Sequence, residues 1–469
     1  MKIAYMHFHL KTGGVTTVIR QQVEAMQGTG ETLVLAGTPP DGDFPCPVSV
    51  IPGLGYDKDR DKTAPPDETA AVVQQALNSH WPAGCDVLHV HNPTLAKNKN
   101  YLKILEILKD KGIRLFLQIH DFAEDGRPGV YFHENYVADC HYSVINSRDY
   151  AILLDSGLNQ TGLHLVSNMV TPLPAAPGPQ ETREHILYPI RAIRRKNIGE
   201  AILLSIFFPG NRPLFITQPP NSPADFPAYE SWKQFVARHG LNVEFEVGRR
   251  HDFVTLVHDA ESLLTTSISE GFGFSFMEPW TAGKRLWGRD LPGITDDFKA
   301  SGLYLGHLYA RLRVPLPWTA DGDFHASWLK TVHSSMETFQ IEKSNRDIRA
   351  GFKRLTADGT VDFGLLNERH QQAVVAVVIA STENKRLVAE LNPFLADGGC
   401  PTFTNVQVDN NRELVLKHYS QAAYRRTLEK LYARISTTDP VQAIDKALLL
   451  DQFFNFNNFS LLKWGLHDS

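Results

Sequence analysis

The 469-residue chain has little cysteine: Cys46, Cys85, Cys140 and Cys400 stand far apart, with no pair at CxxC spacing. Such usage excludes a disulfide framework and a paired-cysteine zinc site, and it fits a reducing cytosol. Excess positive charge is also lacking, since 47 Lys and Arg against 52 Asp and Glu give a net charge of −5. Without a basic field there is nothing to collect a polyanion, so nucleic acid is not expected as a partner. Long apolar runs are missing too. The longest, AVVAVVIA at 373–380, is far short of the ~20 residues that cross a bilayer, and reads as one buried helix. The opening MKIAYMHFHLKTGG has neither the apolar core nor the cleavage site of a signal peptide, so a cytoplasmic protein is expected. No period of 20–50 residues repeats. The GxGxxG fingerprint is absent after the first strand, which counts against a dehydrogenase.

What is present is alternation. Runs rich in β-branched residues at 2–8, 32–37, 86–91, 114–121, 141–146 and 163–168 are separated by helical periodicity, such as Val15, Val18, Ile19, Val23 and Met26. That pattern specifies a parallel sheet covered by helices on both faces. The segment TPLPAAPGPQ at 171–180, with four prolines, can support neither strand nor helix interior and reads as an interdomain linker, 171–183. Alternation then restarts with HILYPI (185–190), PLFITQ (213–218), VEFEVG (243–248) and SLLTTS (262–267). From about residue 325 helical patterns dominate, the clearest spanning 409–435. The last segment carries Phe453, Phe454, Phe456, Phe459 and Trp464, too apolar to hang free. The fold expected is α/β, with two Rossmann-like doubly wound domains facing a cleft, a helical insertion and a C-terminal helical segment.

Three constellations carry chemistry. Gly13 and Gly14 open the first helix, where glycine lets backbone approach a ligand and free N–H groups face an anion. A strand-to-helix turn also needs glycine on steric grounds alone. Next, Arg191, Arg194, Arg195 and Lys196 cluster at a strand's carboxyl end, where such sheets bind ligands. A guanidinium fork with a lysine point charge suits a diphosphate. Third, SISEGFGFSFMEPW places Glu270 and Glu278 on either side of a glycine-aromatic turn, Gly271 to Phe274. With Glu278 one helical turn inside, both carboxylates point into one cleft and accept hydrogen bonds from sugar hydroxyls.

In order and spacing these motifs resemble the retaining GT-B glycosyltransferases of the family-4 type over residues 1 to about 310, and again at 411–435. The resemblance implies an N-terminal acceptor-side domain (1–170) and a C-terminal nucleotide-sugar domain (184–435) with a helical insertion at about 325–410. It also implies a final segment (436–469) that packs back on the N-terminal domain. By the same resemblance, Gly13 and Gly14 line the donor diphosphate, Arg191 and Lys196 hold it, and Glu270 binds the donor hexose assisted by Gly271, Phe272, Gly273 and Phe274. Glu278 binds the ribose, and His120 faces the transferred sugar. Two departures are Ile190, where the family usually has glycine, and RLWGRDLPGI (285–294) after the second glutamate.

The expected activity is transfer of a hexose from a nucleoside-diphosphate sugar, UDP-glucose first and GDP-mannose second, to a small acceptor. None of the three chemistry-bearing constellations contains a DxD run, so metal independence is expected, with no cofactor beyond the donor substrate. Acceptor candidates are His9, Lys11, His91, Asn92, Asp121 and Arg127, each at or just past a strand carboxyl end. Lys97, Lys99 and Arg148 nearby suggest an anionic acceptor. A GT-B epimerase or phosphorylase, and a non-catalytic sugar-nucleotide-binding protein, are the competing readings. Membrane association is not expected, because no helix pairs a basic face with an exposed aromatic one.

Overall fold

The structure is a computed structural model that describes residues 1–59, 64–174, 185–320, 323–395 and 404–465. The expected linker lies outside them from residue 175 onward, as does Cys400. The described chain divides into two compact units, Met1–Val170 with Lys417–Phe454, and Thr171–Leu416 with Asn455–Ser469.

In the first unit, the β-branched runs form an all-parallel sheet of β1 (Lys2–His7), β2 (Glu31–Ala36), β3 (Val48–Val50), β4 (Val87–His91), β5 (Leu115–Gln118), β6 (His141–Val144) and β7 (Leu163–Leu165), in the order β3-β2-β1-β4-β5-β6-β7. Strand β3, short and half exposed at the edge, carried no sequence signal. The order reverses between β1 and β4, which creates the crevice where doubly wound sheets take ligands. One face buries Leu102, Leu105, Leu108, Val73 and Phe453; the other packs Ile19, Val23, Leu428 and Leu431.

The second unit repeats the plan with β8 (His185–Arg191), β9 (Leu214–Gln218), β10 (Val243–Phe245), β11 (Ala260–Thr265) and β12 (Arg285–Gly288), ordered β10-β9-β8-β11-β12 and again parallel. Strand β12 opens the RLWGRDLPGI departure, a segment for which the sequence pattern named no strand. A small antiparallel pair joins β13 (Arg313–Pro315), just ahead of the expected insertion, to β14 (Thr360–Asp362) within it. AVVAVVIA lies in the helix Glu368–Ala380, with Val374, Val375 and Val378 buried.

Two expectations at the C-terminal end are corrected. The pattern at 409–435 is two helices, Asn405–His418 and Gln421–Ile435, because Ser420 caps the second by accepting the Ala423 N–H at 3.4 Å. That second helix does not close the second domain; Tyr424, Leu428, Leu431 and Tyr432 pack on the first sheet beside Tyr5 and Phe116. The final segment does not stay on the first unit either. Phe453 stacks near Phe122 at 4.9 Å, whereas Phe459 meets Trp328 at 5.8 Å and Trp464 meets Phe339 at 5.8 Å, in the second unit.

One buried network ties the insertion to the second sheet. Arg289, just past β12, donates from Nε and Nη2 to Glu200 at 2.8 and 2.6 Å, and from Nη1 and Nη2 to Asp362 at 2.8 and 2.7 Å. Tyr309 adds its hydroxyl to Glu200 at 2.6 Å. With Glu200 fully buried and Arg289 nearly so, removing the cation strands two carboxylates in low dielectric. Arg289→Met is therefore expected to cost about 3–5 kcal/mol, read as a lower urea midpoint for the second unit; an unchanged midpoint would show that the network carries no such weight.

Candidate active site

The cation-bearing loop starts from a defect in the central strand. Pro189 cannot donate to the ladder, and the register between β8 and β9 slips by one residue between Tyr188, opposite Ile216, and Arg191, opposite Gln218. This bulge re-aims Arg191, which is exposed and makes no side-chain hydrogen bond or ion pair among the described residues. The buried Ile190 lies inside the same bulge.

Beyond it the chain is pinned from behind. Arg194 forms a two-point ion pair with Glu368 (2.7 and 3.0 Å) and donates to the Gly465 carbonyl at 2.6 Å. Arg194 is thus structural and leaves the expected diphosphate cluster. Asn197 adopts a left-handed conformation (φ 52°, ψ 54°), and its side chain is held by Glu200 and Gln371, each at 2.8 Å. Tyr188 donates to the Lys196 carbonyl at 2.5 Å while accepting the Thr266 N–H at 3.2 Å.

These anchors present Lys196 to Glu270, with which it forms a direct ion pair. Arg195 adds a longer contact to Glu270 at 3.4 Å and donates to the Ser269 carbonyl at 3.0 Å. Burial pushes the Glu270 carboxyl up, but Lys196 and Arg195 more than offset it and hold the group below its ordinary value. Burial drives the Lys196 ammonium down, and Glu270 only partly compensates. Glu278 has its carboxyl raised, first by burial and also by Glu270, with Lys196 opposing, and it makes no side-chain hydrogen bond among the described residues.

Gly273 (φ +89°) makes the turn between the two glutamates; a Cβ there would sit 2.8 Å from Phe276 and 2.9 Å from Ile294. Phe272 is buried edge-on to Phe298 with ring centres 5.6 Å apart, Gly271 and Phe274 are partly exposed, and Phe274–Phe276 is a short 3-10 turn. Glu278 consequently begins the helix Glu278–Thr281 and is not one turn inside it.

In the first unit, Gly13 and Gly14 begin the helix Gly14–Met26 with no side-chain cap, and a Cβ on Gly14 would meet nothing within 4 Å. Open space, not crowding, surrounds that helix start. The strand ends at the β1/β4 reversal gather His7, His9, His91 and, just past β5, His120. Two acceptor candidates are corrected here. His91 is fully buried, and Asn92 is buried with its Oδ1 accepting the N–H groups of His120 (2.7 Å) and Asp121 (3.2 Å), so both shape the rim and do not line it. His9 contacts Tyr56 Oη at 3.1 Å, Lys11 pairs with Asp59 at 3.6 Å, and Asp121 pairs with Arg127 at 3.5 Å. Lys58 and Lys97 stand over the Tyr56 ring at 5.7 and 5.5 Å. Burial first, then Arg127 and Lys58, lower the Lys97 ammonium. Arg148 is tied to the buried Asp149 at 2.7 Å and is not available, while Lys99 is exposed.

The sequence reading missed His7, His89, Gln22, Gln118, Tyr5, Tyr424 and Tyr432, which form a buried polar layer on one sheet face. His89 bridges Tyr432 Oη (2.8 Å) and Gln118 Oε1 (2.9 Å), and Gln22 donates to Gln118 and Tyr424, each at 2.8 Å. The signal was available in the alternation Tyr5, His7 and His89, His91, which period 2 puts on one face.

The chain is similar to the mannosylglucosyl-3-phosphoglycerate synthase of Petrotoga mobilis, 25% identical over 342 residues, which is 62% of this chain. It spans 65% of that relative's length, just under two thirds. Among solved structures, Anabaena Alr3699/HepE in complex with UDP and glucose superposes with a TM-score of 0.54 at 12% identity, covering 92% of this chain and 99% of that one. The fold is GT-B. A glycosyltransferase from Rickettsia africae (TM-score 0.53, 10% identity, 93% and 99% covered) and the sucrose-phosphate synthase of Thermosynechococcus elongatus (0.50, 15%, 92% and 98%) share it. No protein-family model matches the chain.

The buried pair yields a test in ligand-free protein. Lys196→Met leaves the Glu270 carboxylate buried beside only Arg195, at an expected cost of about 3–5 kcal/mol. Adding Glu270→Gln should recover part of that loss, so a double-mutant cycle by urea unfolding should show favourable coupling; additive losses would contradict the pairing.

Proposed function

We propose that the chain is a glycosyltransferase that moves a hexose, with retention, from a nucleoside-diphosphate sugar to a small anionic acceptor. The observation that carries this is the second unit's loop, where Arg191 is unpartnered among the described residues, Lys196 is buried and under-compensated, and Glu270 and Glu278 are poised beside it. Diphosphate supplies a second anion beside Lys196, which Glu270 already pairs, and one that the Arg191 fork can grip. Glu270 and Glu278 accept hydroxyl hydrogens from the hexose and the ribose.

In the proposed step the bond from the anomeric carbon to the phosphate oxygen breaks through an oxocarbenium-like state while charge grows on the departing diphosphate. Fixed cations aimed at that charge stabilise it without reorganising. The acceptor oxygen attacks from the same face, forms the new bond to the anomeric carbon, and passes its proton to the leaving phosphate oxygen, so no protein nucleophile is required. Arg191 and Lys196 do what a metal ion does in other transferases, and the reaction is metal-independent. UDP-glucose is the donor proposed first and GDP-mannose second. Support for a nucleotide sugar comes from the GT-B neighbour solved with UDP and glucose, and for an anionic acceptor from the phosphoglycerate in the relative's name. Lys58, Lys97 and Arg127 around Tyr56 are the cations that would meet that anion.

A thermal-shift screen of UDP, GDP and their sugars tests the reading first. A selective ligand at 100 times its Kd should stabilise by about 2.7 kcal/mol; a flat response to all of them would overturn the proposal. With the matching donor, Lys196→Ala and Glu270→Ala should lower kcat about 10²–10³-fold, and Lys97→Ala with Arg127→Ala should raise the acceptor KM. Transfer should persist in excess chelator, and its complete loss there would remove the metal-independent mechanism.

A further inference from the structure

The three histidines at the carboxyl ends of β1, β4 and β5 are not independent. His91 Nδ1 lies 2.9 Å from His120 Nε2, and the two rings stack with centres 5.2 Å apart. Only one of these nitrogens can carry the shared proton. His91 is fully buried, and its other nitrogen, Nε2, has no hydrogen-bond partner. If His120 were the donor, neutral His91 would keep its proton on Nε2, leaving a buried N–H unpaired. If His91 donates, Nε2 is a bare lone pair. Orphaned buried N–H groups are the rarer and costlier of the two. His7 follows the same rule, since its Nδ1 lies 3.2 Å from the His91 carbonyl, which can only accept.

We infer that His91 is a positioning residue that locks His120 in the Nδ1–H tautomer, so that His120 offers a substrate oxygen a fixed hydrogen-bond donor and cannot act there as a base. His120 Nδ1 makes no hydrogen bond among the described residues. Its backbone N–H is clamped by Asn92 Oδ1 at 2.7 Å, which fixes where the ring starts. Burial lowers His120 to about 4 and, with His89 and His120 alongside, takes His91 well below its ordinary value, so both rings are neutral at pH 7. A neutral N–H donor suits a sugar hydroxyl, whose oxygen accepts in a set direction. The identity of the ligand as a sugar rests on the transferase reading; the tautomer does not.

The test therefore has two arms on the full chain. Long-range 1H–15N spectra of protein labelled with 15N-histidine, assigned with His120→Gln and His91→Asn, should show the proton on Nδ1 of both His120 and His91. In His91→Leu, His120 should become a mixture of tautomers. In His91→Asn, whose amide nitrogen replaces Nδ1 as the donor, the Nδ1–H form should persist. Kinetically, His91→Leu should lower kcat about 10–100-fold, as loss of an orienting partner does, with the donor KM little changed, and His91→Asn should restore most of it. A wild-type spectrum with the His120 proton on Nε2 overturns the inference, as do equal kcat values for the Leu and Asn variants at matched thermal stability. If neither variant folds, the wild-type spectrum alone decides. If no nucleotide sugar is turned over, the transferase reading fails and the spectra still judge His91.

Discussion

The second unit depends on one buried ion pair between Lys196 and Glu270. Placing an ammonium and a carboxylate together inside a protein costs desolvation that their attraction repays only if geometry is fixed. The surroundings supply that geometry. Tyr188 and Thr266 hold the Lys196 backbone, Asn197 turns it left-handed, and the Arg194–Glu368 pair clamps the loop from behind. The pair is kept slightly incomplete, with Lys196 depressed by burial more than Glu270 restores it.

The Arg289 network explains how so many added helices coexist with that precision. Glu200 belongs to the helix that begins right after Asn197, and Asp362 ends β14 in the added region. Arg289 joins them, so the insertion braces the cation-bearing loop through a neutralised core instead of hanging from the surface. The first unit uses a comparable device with uncharged groups. His89, Gln118, Gln22, Tyr424 and Tyr432 satisfy one another across the sheet, and the returning helix Gln421–Ile435 contributes two of the five. That helix is as much a part of the first unit's polar layer as the strands are.

Much of the site was legible because its chemistry is local. Glycine at a turn, a cation at a strand end and glutamates flanking a glycine-aromatic turn each announce themselves within a few residues. For Arg194, His91 and Asn92 the side chain's use is decided by a partner remote in sequence or by burial, whereas Arg148 is taken by its neighbour Asp149. Arg194 is taken by Glu368, 174 positions away, and a sequence window shows four similar cations without saying which is spent on structure. Strand β3 and strand β12 went unread since short edge strands carry too little periodicity to register.

The sequence by itself determined the class of fold, two parallel sheets with helices between, because alternation of periods 2 and 3.6 is written residue by residue and requires no distant contact. It also determined where the glutamates and the two site cations stand in chain order. Only the tertiary structure decided which unit the chain's last third joins, which cations remain available, and how the histidines share protons. Those outcomes turn on burial and on pairing that no short stretch of sequence reveals, and both are properties of the packed molecule.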